Sequence, residues 1–183
     1  MNTSALLPAA LAFIALGSAP ALASSNPCKK TSRVTFVGDL GEPTVSAIFT
    51  TFERVSKQNH GHREKIRVHK CSLMKLTGTS SWKAASKKLP GAAASNPAVL
   101  AEVKKLRQSI PTKATYQSLL DEAKEAKRQF DAMVEVDVPE SKSSAYLENI
   151  ESLRGFVGDL NKGIKHANGM RKKMFVIIQK SGT

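Results

Sequence analysis

The stretch Ser143 to Ala167, SSAYLENIESLRGFVGDLNKGIKHA, decides the fold. Its apolar residues Tyr146, Ile150, Leu153, Val157, Leu160, Ile164 and Ala167 step alternately by four and three. That spacing keeps one side of an α-helix apolar and, sustained over several turns, makes a coiled-coil seam. Gly155, Gly158, Gly163 and Gly169 work against it, each by up to about 1 kcal/mol relative to Ala. A break is expected at Asn168-Gly169, with Met174 to Ile178 as a further helical piece, although its β-branched run would locally suit a strand.

Upstream of this helix, Thr112 reads as the cap of another that carries Tyr116, Leu119, Leu120, Ala123, Ala126, Phe130, Met133 and Val134 inward and stops before Val138-Pro139. Two long helices, Thr112 to Val136 and Ser143 to Ala167, joined through a short Pro139 turn should pack as an antiparallel hairpin. Further upstream, Asn96-Pro97 is a cap and first-turn pair for a helix with Leu100, Val103 and Leu106, ending at Ile110-Pro111. A short helix from Ser81 to Lys88 is expected to stop at Leu89-Pro90-Gly91, leaving Ala92 to Ser95 as linker. Pro43 opens the first helix, whose Val45, Ile48, Phe49, Phe52 and Val55 recur at helical spacing until Asn59-His60-Gly61. Arg63 to Leu76 fits neither the helical nor the strand period, and Arg33 to Val37 could be a short strand.

The fold class expected is all-α: a small helical bundle built around the C-terminal hairpin, with an irregular, disulfide-tied N-terminal third. Residues 24–42 form an extended or loop segment and 43–183 the helical domain, together one domain. The pentapeptide Phe-Val-Gly-Asp-Leu occurs at Phe36 to Leu40 and again at Phe156 to Leu160, but the flanks do not match, so it marks no duplication.

Residues 1–23 read as a signal peptide: an apolar run, Ala5 to Leu16, is followed by Ala21-Leu22-Ala23, a small-residue cleavage site. The mature protein is therefore expected to be secreted, without a transmembrane segment. In that setting Cys28 and Cys71, the two cysteines of the chain, have one pairing available and should form a disulfide.

The formal net charge is +13, and it is unevenly spread. From Arg54 to Lys88 ten Lys or Arg stand against one acid, Glu64; from Lys113 to Leu160 six stand against ten; from Asn161 to Thr183 six stand against none. Two basic segments thus flank an acidic middle. Arg63, Lys65, Arg67 and Lys70 could join Arg171, Lys172 and Lys173 in one surface that attracts phosphate- or sulfate-bearing polymers through salt-dependent contacts. With a single Trp and two Tyr, stacking on single-stranded nucleic acid has little to work with. Contact with a membrane surface rests only on the basic residues beside Met174 to Ile178.

Chemistry has less support. His60, His62 and His69 with Cys71 have the ligand types for zinc or copper if the segment forms a hairpin, since residues two apart on a strand share a face. Against a metal site there, Cys71 has a use in the disulfide and the spacing matches no zinc signature. No nucleophile motif occurs, and Asp121, Glu122, Glu125 and Asp131 alternate with Lys124, Lys127 and Arg128 as on a solvated, salt-bridged helix face. No catalytic residue and no cofactor is expected. The function expected is that of a secreted, non-enzymatic, effector-like interaction protein, host-directed or acting at a cell surface, binding a protein partner or an acidic extracellular polymer. The alternative is a small secreted metal-dependent enzyme using the His60, His62 and His69 region.

Overall fold

The computed structural model describes residues 28–181; the expected signal peptide and the first residues of the extended segment lie outside them. Among the described residues there are five α-helices, α1 (Pro43–Leu76), α2 (Trp82–Ser95), α3 (Pro97–Ser109), α4 (Lys113–Asp131) and α5 (Ser143–Ser181), with a 3-10 turn at Glu140–Lys142 and no strand. This is the all-α bundle expected. The helix starts follow local chemistry. The Glu42 side chain accepts from the Thr44 and Val45 N–H groups ahead of Pro43, while Ser81, Asn96 and Thr112 cap α2, α3 and α4.

Contacts between helices fix their directions. Phe49 packs against Phe130 with ring centroids 5.4 Å apart, and His62 against Tyr116 at 5.9 Å, so α1 runs antiparallel to α4. Phe130 meets Tyr146 at 6.4 Å, while at the other end Arg171 Nη1 reaches the Ile110 carbonyl at 3.5 Å, so α4 and α5 form the expected antiparallel hairpin. Further along α1, His69 Nδ1 lies 2.7 Å from Glu102 Oε1, which places α3 beyond α4 on the same side. The bundle is therefore built of three rods. α3 and α4 lie end to end in the middle rod, broken at Ile110 to Thr112, and α1 and α5 run parallel to each other on either side. α2 closes the far end: the Lys70 ammonium sits 4.9 Å over the Trp82 ring, and Lys173 Nζ donates to Ser86 Oγ at 2.6 Å.

Several breaks read from the sequence do not occur. α1 passes through Asn59-His60-Gly61 to Leu76, because Ile66 and Leu73 continue the buried stripe of Val55 by three turns and then two. Burying those side chains, at about 1.5 to 3 kcal/mol each, outweighs the roughly 1 kcal/mol lost at Gly61. α2 likewise passes Pro90 and takes in the expected linker, since Ala85, Leu89 and Ala93 form one buried stripe at intervals of four. α5 is unbroken at Asn168-Gly169, and Met170, Met174 and Ile177 are buried beyond it. Its stripe is Asn149, Leu153, Phe156, Leu160, Ile164 and Ala167, with Tyr146, Ile150 and Val157 at its margin rather than at its centre. α4 ends at Asp131, short of the expected Val136, and Val134, expected inward, is 93% exposed.

Residues 28–42 are no strand but an extended strap lying antiparallel along α1. The Cys28–Cys71 disulfide anchors its start, with Cα atoms 5.0 Å apart, as the cysteine count implied. With no neighbouring strand, the backbone groups it turns toward the bundle are met by side chains, since a buried peptide group needs a partner. Thr31 N–H and Oγ1 donate to Glu64, Phe36 N–H donates to Glu53 Oε2 at 2.9 Å, Ser56 Oγ donates to the Val34 carbonyl, and Leu40 N–H donates to Ser46 Oγ at 3.0 Å. Asn149 of α5 holds Val37 at both its N–H and its carbonyl. Phe36 fills the groove between α1 and α5, against Phe49, Phe52 and Phe156. The strap then turns at Gly41, where φ is +81° and a Cβ would meet Pro139 Cγ at 2.8 Å, so only glycine fits there.

Candidate functional site

The break in the middle rod shapes a place where basic residues from several helices converge. Ile110 takes an extended conformation after α3, and Thr112 caps α4 by accepting from the Thr115 N–H at 3.2 Å. The missing helical turn between them opens two adjoining cavities. One, of about 480 Å³, is lined by His62 and Lys65 of α1, Arg107 to Ser109 of α3, Ile110 to Thr112, Thr115 of α4 and Arg171 of α5. The other, of about 360 Å³, is lined by Arg107, Lys113, Asn168, Arg171, Lys172 and Phe175. Arg107 and Arg171 belong to both. Five cations thus border one cleft, and no carboxylate among the described residues lines it.

Packing and charge tune these groups. The Arg107 guanidinium lies 5.0 Å over the Phe175 ring, a cation–π contact that fixes its plane. Its Nε is buried with no hydrogen-bond partner among the described residues. Burial, and secondarily the Lys65 ammonium, holds the His62 imidazole below its usual range. Burial pushes the neighbouring Tyr116 phenol up to about 12, with Arg63 opposing. At low ionic strength the cations repel one another in a partly desolvated setting, and an anion entering the cleft would relieve that repulsion.

The basic residues singled out in the sequence separate into groups. Lys65, Arg171 and Lys172 border the cleft. Arg63 lies beside Tyr116, while Arg67 pairs with Glu64 and donates to the Cys28 carbonyl at 3.1 Å, facing the strap. Lys70 is drawn over Trp82, where burial pushes its ammonium pKa down, and Lys173 is held at Ser86. Consecutive helix positions point about 100° apart, so Arg171, Lys172 and Lys173 do not share one direction. Arg107 and Lys113 border the cleft but lie outside the two basic segments of the sequence, and the break at Pro111 brings them beside Arg171.

The histidines do not converge. In helical α1, residues two apart do not face each other, so His60 and His62 diverge. His62 turns to Tyr116 and His69 to Glu102, while Cys71 is in the disulfide. No group of three His, Cys, Asp or Glu able to hold a metal occurs among the described residues. No helix among them is long and apolar enough to cross a membrane. The acidic residues of α4 are paired along its surface, Lys127 with Asp131 and Arg128 with Glu125, which lowers the Glu125 pKa to about 2. In comparisons with known proteins, no family model, no curated protein and no solved structure matches this chain.

Proposed function

We propose that the chain is an exported, non-enzymatic binding protein that takes an acidic extracellular polymer, or an acidic segment of a partner protein, in the cleft at the α3–α4 break. The observation that carries this reading is the convergence of Lys65, Arg107, Lys113, Arg171 and Lys172 from four helices on one concavity with no lining carboxylate. Dispersed surface charge serves solubility, but like charges gathered in a hollow raise the free energy of the empty protein and lower that of an anionic complex. The leader-like residues 1–23 motivate the export reading and, with it, an extracellular partner at a cell or host surface.

Heparin-affinity chromatography of the mature protein tests it. Reversing the exposed Lys113 and Lys172 to Glu should lower the eluting salt concentration well below that of a Lys87→Glu, Lys88→Glu variant, which changes net charge equally on α2. Equal shifts in the two variants would mean that heparin reads only net charge, and the cleft would have no part in binding.

A further inference from the structure

We infer that the larger of the two cavities, bordered by Lys65, Arg107 and Arg171 beside Thr112, is a discrete site for one tetrahedral oxyanion, a sulfate or phosphate group. This rests on the reading of the cleft as an anion-binding surface and goes further, to a single group at a single place.

Three cations reach this cavity from three different helices, α1, α3 and α5. One guanidinium fork already satisfies a planar carboxylate, whereas donors arriving from three directions match an anion whose oxygens point in different directions. The cavity wall also carries the Thr112 and Thr115 hydroxyls, which lie 2.9 Å apart and share a hydrogen bond, leaving one O–H of the pair to donate to such an oxygen. The start of the 19-residue α4 opens at the same place, and its positive half-charge adds to the field of the side chains. Arg107 supplies a buried Nε–H that has no acceptor among the described residues. An orphaned, charge-bearing donor of this kind is costly unless something accepts from it. Its guanidinium is already oriented by Phe175, so little freedom is lost when an oxyanion arrives.

The experiment is a titration of the mature, disulfide-bonded protein with sodium sulfate, sodium phosphate and, as a planar control, sodium acetate at constant ionic strength. The side-chain Nε–H resonances of Arg107 and Arg171 report on it. Sulfate and phosphate should shift both resonances saturably, and acetate should not. Arg107→Met should weaken sulfate binding about tenfold or more, the expected loss for one charge-assisted hydrogen bond, while Lys104→Gln on the exposed side of α3 should leave it unchanged. Arg107→Lys keeps the charge without the fork and should also weaken it, which guards against misreading a folding defect in the Met variant. Shifts that follow ionic strength alike for all three salts, or an equal loss from Lys104→Gln, would overturn the site. Heparin retention that persists unchanged in the Arg107 variants would overturn it too, yet leave the wider cleft reading standing. Loss of cleft-dependent retention in the Lys113 and Lys172 variant would be needed to keep that reading. A sulfated oligosaccharide and vesicles bearing a phosphoinositide then separate the sources: binding of the first supports a polymer-borne group, and binding of the vesicles alone keeps the oxyanion site but overturns the polymer as its source.

Discussion

The side-chain amide of Asn149 grips the backbone of Val37 at both ends: Nδ2 donates to the Val37 carbonyl at 2.8 Å and Oδ1 accepts from the Val37 N–H at 2.9 Å. A primary amide presents the same donor and acceptor pair as a peptide unit, so Asn149 serves the strap as one residue of a missing β-strand would. This accounts for a polar residue, only 2% exposed, on the core stripe of α5. Replacing Asn149 by Leu leaves both Val37 groups unmatched and should cost about 1 to 3 kcal/mol. Chemical denaturation gives the loss, and hydrogen exchange at the Val37 amide should accelerate more than exchange in α3. An unchanged Val37 rate would show that the clamp does not hold the strap.

The disulfide joins residues separated by 43 positions, and opening it frees the unfolded chain. Cys28→Ser with Cys71→Ser should lower stability by about 4 kcal/mol on the loop-entropy estimate. The helix content should persist below the new midpoint, because the buried stripes of α1, α3, α4 and α5 do not depend on the bridge. Loss of helical signal already without denaturant would mean that the strap is needed to form the bundle.

Leu153, Phe156 and Leu160 are buried on α5, whereas Val134 stands in solvent. Leu153→Ala and Leu160→Ala should each cost about 2 to 5 kcal/mol, and Phe156→Ala about 3 to 5 kcal/mol, since it also removes the edge contacts to Phe36 and Phe52. Val134→Ser should stay within about 0.5 kcal/mol. Thermal melts of the four variants rank them directly.

His62 provides a pH signature. It lines the cavity with Lys65 on α1, Arg107 on α3 and Arg171 on α5 and packs against Tyr116 on α4, whose phenol also feels the Arg63 charge, and its folded-state pKa lies below the usual 6.5. The unfolded chain therefore takes up the proton first as pH falls. The contribution of neutral His62 to stability is complete above about pH 6.5 and is lost as pH falls through the depressed folded value. Denaturation midpoints of wild type and His62→Gln should converge or cross as pH falls below about 6.5, and saturating sulfate should shrink the wild-type step by favouring the imidazolium. Parallel pH curves for the two proteins would show that His62 does not titrate differently in the folded state.

Helix starts were legible because their causes are local: Pro43, Asn96-Pro97 and Thr112 cap or open helices with chemistry contained in a few residues. Helix ends were less so. Gly61, Pro90 and Gly169 are breakers by local preference, and each is overruled by buried residues that follow it, Ile66, Ala93 and Met170 among them. The extended character of the strap was legible, but its course along α1 was not, since that depends on Glu53, Ser56 and above all Asn149, 112 residues away from Val37. The pentapeptide Phe-Val-Gly-Asp-Leu makes the point within one chain: it is extended at Phe36 to Leu40 and helical at Phe156 to Leu160. Of the cleft, Lys65, Arg171 and Lys172 stood out by local charge density, whereas Arg107 and Lys113 gain their place only from the break at Pro111.

The parallel course of α1 and α5 converts an order along the chain into a direction in space. Both helices begin at the end where α4 finishes, the end of Glu42, Asp131, Glu140 and the Asp39–Lys142 pair, and both finish at the end covered by α2, the end of Lys75, Lys83, Lys87, Lys88 and Lys180. The acidic middle of the sequence therefore lies toward one pole and the two basic segments toward the other, so the protein carries a permanent electric dipole along its long axis in addition to its net charge. In the field of an extended anionic surface such a molecule experiences a torque as well as an attraction, and it turns its α2 pole forward before contact.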